Sequence, residues 1–310
     1  MENISENDST LHALSRDLAH LVEQVSPCVV AVNARRHLSS SGVYWRDGVI
    51  VTAAHTLRRT EDISVILASG QTVAATLAGA DPSRDIAVLK VDGTELSTPS
   101  FGDASQANVG HLVLAVGRGA QRGLNATLGI VGVLSGAWHT WRGGLIDQYI
   151  GLDLALHPGA TGGPLTDTHG RVLGINTLGL SRSMALTIPV STVDRVVAHL
   201  LEGGHGGLGY LGLGMRPIPL PEDLKSMLHL SADSGLIVVS VEPDGPGSKA
   251  GVQFGDVIVA LEGMAVSSLH DLRAFLEPES VGKAIRVSII RSGKLVEVNV
   301  IIGERRRRNH

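Results

Sequence analysis

The chain has 310 residues, 43% apolar and 18% charged, which is enough apolar material for two cored domains and excludes a disordered chain. Lys and Arg number 26 against 30 Asp and Glu, a net charge of −4 that excludes a general basic field for nucleic acid. Thirty-eight glycines and only 3% aromatics favour short strands joined by tight turns, and the single cysteine, Cys28, excludes a disulfide framework and a cysteine-based zinc site.

Residues 1–9 read MENISENDS, with no basic run followed by an apolar core, unlike a secretory leader. No run reaches the ~18 apolar residues that span a bilayer. As written the chain is expected in the cytoplasm, and outside it if a leader has been removed. Leu11, Leu14, Leu18, Leu21, Val22 and Val25 recur at three- and four-residue steps, which predicts an amphipathic helix over 10–25, ended by Pro27. Its apolar face packs on its own domain or meets another subunit.

From residue 28 the period changes. Short apolar runs at 28–33, 49–53, 63–67, 72–78, 86–91, 112–116, 128–134, 171–176 and 184–188 predict strands, with Gly, Asp, Ser or Pro between them. No helix alternates with them, so a sandwich or barrel is favoured over βαβ units. Residues 191–201 (STVDRVVAHLL) read as a helix capped by Ser191, with Asp194 completing a capping box. The stretch EGGHGGLG over 202–209 reads as a flexible linker. Beyond it, strands are predicted near 236–241, 257–261, 284–291 and 295–302, with a helix around 268–276. The division is thus an N-terminal segment 1–26, a domain 27–202, a linker 203–209, a domain 210–303 and a basic tail 304–310. Arg305 to Arg308 in that tail are a solvated end or a contact for acidic surfaces.

Three segments carry chemistry. Val51-Thr-Ala-Ala-His55 sets a histidine after a strand end, Asp81-Pro-Ser-Arg-Asp85 sets an aspartate before a strand, and Pro158-Gly-Ala-Thr161-Gly-Gly sets a hydroxyl in a glycine-dense turn. A hydroxyl attacks only when a neighbouring imidazole takes its proton. The imidazole in turn needs an acceptor on its other nitrogen to hold one tautomer, and His…Asp…hydroxyl is the chymotrypsin-type order. The N–H groups of Gly159 and Thr161 are the candidate oxyanion donors, each worth about 3 kcal/mol in such sites.

At these residues the chain resembles the HtrA (Deg) family of trypsin-like serine proteases with an attached PDZ domain. The resemblance rests on Gly48-Val-Ile-Val-Thr-Ala-Ala-His55, on residues 81–90, on 158–165 followed by Gly170-Arg-Val-Leu-Gly-Ile-Asn-Thr177, and on Thr187-Ile-Pro-Val190. It implies a mainly β chain: a chymotrypsin-like double β-barrel followed by a small α+β PDZ domain. It also implies His55 as general base, Asp85 as its orienting carboxylate and Thr161 at the nucleophile position, in an ATP-independent endopeptidase acting on unfolded or misfolded polypeptides. A homotrimer joined through the protease domains, with residues 10–27 at or near the contact, follows from the same resemblance. The family has serine where this chain has Thr161, and usually asparagine where it has Ala160. Threonine keeps the hydroxyl but adds a β-methyl that restricts χ1, which implies weakened hydrolysis. The alternative is a catalytically silent pseudo-protease that holds peptides. Leu156 and residues 173–178 are expected to wall an apolar specificity pocket, with His157 either tuning the site or lying in a surface loop.

Tyr210-Leu-Gly-Leu-Gly214 resembles a PDZ carboxylate-binding loop, supported by Pro243–Ala250 and Gly251–Gly263. The resemblance implies strand addition of a peptide C-terminus. Leu211, Gly212 and Leu213 are the candidates for the carboxylate, and Leu213, Leu272 and Leu276 for the side-chain pocket, Leu276 serving equally well as core. No metal or organic cofactor is indicated, because the thirteen histidines lack any ligand spacing.

Overall fold

The computed structural model describes residues 10–34, 39–93, 96–157, 159–203, 207–230 and 232–304. Tail residues Arg305–Arg308, linker residues 204–206 and Pro158 lie outside them. The chain divides into two compact units after residue 203, with residues 143–145 grouped with the second.

The first unit opens with helix α1 (Thr10–Val25). Its C-terminal half packs Leu18, Leu21, Val22 and Val25 on the unit's own core, whereas Leu11 and Leu14 remain 78% and 44% exposed. Six strands follow: β1 (Val29–Asn33), β2 (Ser40–Arg46), β3 (Val49–Ala53), β4 (Ile63–Ile66), β5 (Thr72–Asp81) and β6 (Ile86–Lys90). They close into a barrel in the order β1-β2-β3-β6-β5-β4. A second six go into another: β7 (Leu112–Gly119), β8 (Gly123–Ser135), β9 (Tyr149–Asp153), β10 (Pro164–Thr166), β11 (Val172–Thr177) and β12 (Ala185–Pro189). Their order is β9-β12-β11-β10-β7-β8, again closed. Valine, isoleucine and leucine dominate the inward positions, and one buried cluster runs from Val29, Ile50 and Val88 in the first barrel to Val116, Ile175 and Ile188 in the second. Closing each sheet pairs its first and last strands with one another, so neither barrel ends in a free edge strand among the described residues.

Helix α2 (Val190–Leu201) packs Val193, Val196, Val197 and Leu200 inward. The expected capping box is absent. The helix starts one residue early, behind Pro189 with no side-chain cap. Ser191 Oγ therefore donates elsewhere, to Asp147 Oδ2 at 2.7 Å, and Asp194 Oδ1 accepts Trp45 Nε1 at 2.6 Å.

The second unit contains β13 (Gly209–Tyr210), β14 (Leu213–Pro219), α3 (Glu222–Leu228), β15 (Ser234–Val241), α4 (Pro246–Lys249), β16 (Val257–Leu261), β17 (Met264–Ala265), α5 (Leu269–Arg273), β18 (Ala284–Arg291), β19 (Lys294–Ile301) and β20 (Gly303–Glu304). Its main sheet runs β14-β15-β16-β18-β19, with β17 beside β16, so β14 is an edge strand; α5 packs beside it. Gly209 is paired with Glu304 in the β13–β20 ribbon and does not belong to a flexible linker. Helix α5 is shorter than the predicted 268–276. Ser268 caps it in a capping box with Asp271, and beyond Arg273 the backbone tightens into three-residue turns before Pro278, which forces Glu277 out of the helical region (ψ 155°). Among the described residues no helix is long and apolar enough to cross a membrane.

Candidate active site

His55 stands in a single 3₁₀ turn (Ala54–Thr56) at the end of β3, closed by Thr56 Oγ1 donating to Ala53 O at 2.6 Å. Asp85 ends the turn between β5 and β6 in the left-handed region, φ 60°, a conformation in which aspartate is enriched among non-glycine residues. That turn is built around Asp81. Its Oδ1 accepts the Ser83 N–H at 2.8 Å and the Arg84 N–H at 3.1 Å, and its Oδ2 takes Arg84 Nη1 at 2.8 Å. The Asp81–Arg84 pair is almost wholly buried, so the turn is rigid before any chemistry is considered.

The result is a tightly held dyad. Asp85 Oδ2 lies 2.7 Å from His55 Nδ1, and Oδ1 accepts the His55 backbone N–H at 2.7 Å. Because a carboxylate oxygen accepts, Nδ1 carries the ring hydrogen and the lone pair is left on Nε2. Asp85 is 1% exposed, whereas the His55 side chain retains 26%. A third partner, Thr177 Oγ1, donates to Asp85 Oδ2 and accepts the Gly179 N–H at 2.8 Å. Thr177 was not picked out from the residue pattern, although it closes the GRVLGINT motif. The backbone at Gly179 passes so near the dyad that a Cβ there would sit 2.5 Å from His55 Nδ1 and 2.6 Å from Asp85 Oδ2.

Thr161 is 7% exposed, in the turn that precedes β10. Gly159 (φ 98°) and Gly162 (φ 87°) give this turn conformations that side chains rarely adopt. A Cβ on Gly162 would also fall 2.3 Å from Ser41 O and 3.0 Å from Ala53 N, so the turn presses on β2 and on the strand that ends at His55. Ser41 fastens it from the first barrel, with its N–H to Thr161 O at 2.9 Å and its Oγ to Gly159 O at 2.6 Å. From the second barrel, Asn176 O accepts the Gly162 N–H and the Asn176 N–H donates to Gly163 O, both at 2.8 Å. Asn176 and Thr177 are neighbours on β11, so one strand grips the hydroxyl turn and the dyad together. Within the turn the Ala160 N–H donates to His157 O at 2.9 Å, and the Thr161 N–H has no acceptor among the described residues. Ser41 carried no sequence signal, since its role depends on a partner 118 residues away.

The expected specificity wall is revised. Leu173 and Ile175 are buried in the cores and fill the barrels instead of lining a cleft, and Leu156 packs against the second barrel's cluster. Leu178, next to Thr177, is 45% exposed, and His157 is exposed. In the second unit Leu211 and Leu272 are core residues, Leu276 is packed against that core, and Leu213 begins β14. Gly212 has φ 70° and its carbonyl accepts the Glu242 N–H at 2.8 Å. Among the described residues no cluster of His, Cys, Asp and Glu is arranged to hold a metal ion.

Residues 40–175 match the trypsin-like peptidase domain and residues 209–302 the PDZ domain. Probable periplasmic serine endoproteases described as DegP-like are similar over most of the chain. The protein of Brucella suis is 35% identical over 270 residues, covering 85% of this chain and 52% of its own length. That of Halomonas elongata is 31% identical over 275 residues, covering 87% and 57%. The chain belongs to the HtrA (Deg) family. Solved structures agree with this assignment. An HtrA-type protease, AlgW, with a decapeptide superposes with a TM-score of 0.71 at 26% identity, covering 93% of this chain and 99% of that one. The serine endoprotease from Yersinia pestis gives 0.73 at 28% identity, covering 93% and 98%. The double barrel with a following PDZ domain is thus the family's architecture in this chain, which spans little more than half the length of these curated relatives.

Proposed function

We propose that the chain is an endopeptidase of HtrA type that cuts unfolded or misfolded polypeptides without ATP, at a rate limited by Thr161. The observation that carries this reading is the His55–Asp85 pair at 2.7 Å, held by the same strand that grips the Thr161 turn. Thr161 Oγ1 attacks the substrate carbonyl carbon while its proton passes to His55 Nε2. The N–H groups of Thr161 and Gly159 receive the negative oxygen that develops. His55 then gives its proton to the amine as the C–N bond breaks, leaving an ester on Thr161 that water hydrolyses by the same relay. Asp85 orients the imidazole and stabilises its cation throughout. Water is the only co-reactant required.

The threonine methyl sets the speed. It shares a carbon with the nucleophilic oxygen, so one χ1 well serves attack while the others direct the methyl at the imidazole or at the incoming carbonyl. The same methyl supports a second reading, in which hydrolysis is silent and the protein only holds peptides. In both, the PDZ unit takes polypeptide C-termini: the carboxylate on the N–H groups of Leu211, Gly212 and Leu213, the chain along the open edge of β14, and an apolar last side chain near Leu213, Leu272 and Leu276. An HtrA-type neighbour solved with a decapeptide supports peptide binding by a chain of this architecture. A homotrimer and a place outside the cytoplasm, as for the periplasmic relatives, complete the proposal; exposed Leu11 and Leu14 on α1 offer apolar surface for a neighbouring subunit.

Casein turnover by the wild type, His55→Ala, Thr161→Ala and Thr161→Ser separates the readings. The endopeptidase reading expects weak turnover in the wild type, none in the two alanine variants, and a rise of about two orders of magnitude or more for Thr161→Ser. Turnover indifferent to His55 refutes it. An inert wild type with an active Thr161→Ser favours the peptide-holding reading. Inertness in all four shows that more than the methyl blocks the site.

A further inference from the structure

We infer that the PDZ unit reads only about the last three residues of a polypeptide, because proline removes the donors from the sheet edge beyond that point. The inference rests on the peptide-binding reading above and follows from the register of β14.

Val238 on β15 turns its main-chain groups away from β14, donating its N–H to Asp256 O at 2.8 Å and accepting the Gly255 N–H at 2.9 Å. Met215 lies opposite Val238. In an antiparallel pair, residues alternate between exchanging hydrogen bonds with their partner and pointing both main-chain groups the other way. Met215 therefore presents its N–H and C=O to the open edge. Arg216, opposite Ile237, turns inward; Pro217, opposite Leu236, turns outward again, and so does Pro219, opposite Ser234. On the other side of the bulge at Gly214/Met215, the Gly212 carbonyl is turned inward to the Glu242 N–H, so Leu213 faces outward. The outward series is thus Leu213, Met215, Pro217 and Pro219. Only the first two have an N–H to offer. Both prolines sit at edge positions where no bond to β15 is lost, the one place in a sheet that tolerates them.

A peptide whose carboxylate meets the Leu211–Leu213 loop runs antiparallel to β14. Its last residue lies opposite Leu213, and its third from the end exchanges both main-chain bonds with Met215. Its fifth from the end lies opposite Pro217, where its carbonyl meets a proline ring and not a donor. Strand addition draws its affinity from main-chain bonds, and a carbonyl stripped of water without a new donor is a net loss. The ladder ends there, and residues further upstream contribute no affinity. The unit accordingly accepts any chain with a suitable short end, whatever precedes it.

The test uses the full-length protein and fluorescent peptides that share one apolar four-residue C-terminus, either alone or preceded by six alternating serines and alanines. Each is made as the free acid and the C-terminal amide. The expected result is acid-selective binding in which the four- and ten-residue acids differ by less than about twofold in Kd. Pro217→Ala, which restores an N–H, is expected to tighten the ten-residue acid about fivefold, the worth of one net hydrogen bond, and to leave the four-residue acid unchanged. Acid-selective binding in which the wild type prefers the longer peptide by about tenfold or more overturns the proline limit while sparing the PDZ reading. A Pro217→Ala protein that folds but shows no length-dependent gain also overturns the limit. Equal binding of acid and amide, or none of either, overturns the underlying reading and the inference with it. If Pro217→Ala does not fold, the length comparison in the wild type decides alone.

Discussion

Replacing Gly179 with alanine adds one methyl group at the most demanding point of the site. The new Cβ would lie 2.5 Å from His55 Nδ1 and 2.6 Å from Asp85 Oδ2, inside the space occupied by their hydrogen bond. Gly179 is not among the residues with positive φ, so alanine costs nothing in backbone strain and the effect is purely steric. Asp85 cannot yield easily: it is buried and held by the His55 backbone N–H, by Thr177 and by its own rigid turn. The His55 ring is the softer partner, with 26% of its side chain exposed, so it is the ring that moves and the 2.7 Å bond that breaks. A hydrogen bond to a charged group contributes up to about 3 kcal/mol, which corresponds to roughly a hundredfold in kcat/KM. Replacing such a carboxylate outright costs about 10⁴ in the well-studied triad, which bounds the loss from above. The assay is kcat/KM on casein in the wild-type and Thr161→Ser backgrounds, with His55→Ala as the floor. The melting temperature is expected to fall by a few degrees as well, because moving the ring leaves the 2.6 Å contact with buried Asp85 unrelieved. Gly179→Ala that keeps more than half of the activity would refute the argument that this dyad, in this geometry, drives the reaction.

Thr177→Val keeps the shape but deletes the donor to Asp85, and kcat on casein is expected to fall about tenfold, with Thr177→Ser restoring most of it. In the PDZ unit, burial works to raise the Asp256 carboxyl, but its bonds from Arg291 and from the Gln253 N–H prevail and hold it below the usual carboxylate range. The folded state therefore binds fewer protons there than the unfolded one, so this stabilisation is present above the ordinary value near 4 and is lost as pH falls through the lower folded value. Asp256→Asn is expected to cost about 2 kcal/mol at pH 7 in urea unfolding and much less at pH 2; an equal cost at both would contradict the assignment. Burial pushes the Cys28 thiol up to about 12, so a thiol reagent at pH 8 is expected to leave the native protein unlabelled and to react at once in urea. Prompt labelling of the native state would place Cys28 outside the core.

The strands with uninterrupted apolar runs were legible in the sequence: β3, β16 and β18 have the predicted bounds. Strand β2 was not, because Ser40-Ser41-Gly42 reads as a turn. It is buried nonetheless, since Ser41 finds partners for its N–H, hydroxyl and carbonyl, the last with Thr52 Oγ1 at 2.6 Å. Strands β9 and β10 were also missed; Tyr149–Asp153 and Pro164–Thr166 are too short and mixed to form a period. The Ser191–Asp194 spacing suggested a cap that the fold does not use, because Asp147 and Trp45 claim those side chains from 44 and 149 residues away. His55, Asp85 and Thr161 were visible as residue types at strand ends. Thr177, Gly179 and Ser41 act only through neighbours brought up by the fold, and no local pattern announces them.

Strand β11 comes late in the first unit, yet it supplies Asn176 to the hydroxyl turn and Thr177 to the buried carboxylate. A chain emerging from the ribosome up to residue 170 already holds His55, Asp85 and Thr161 but neither of those fastenings. The candidate site is thus complete only once the second barrel closes, because one of the last two strands of that barrel to be made fastens both of its halves.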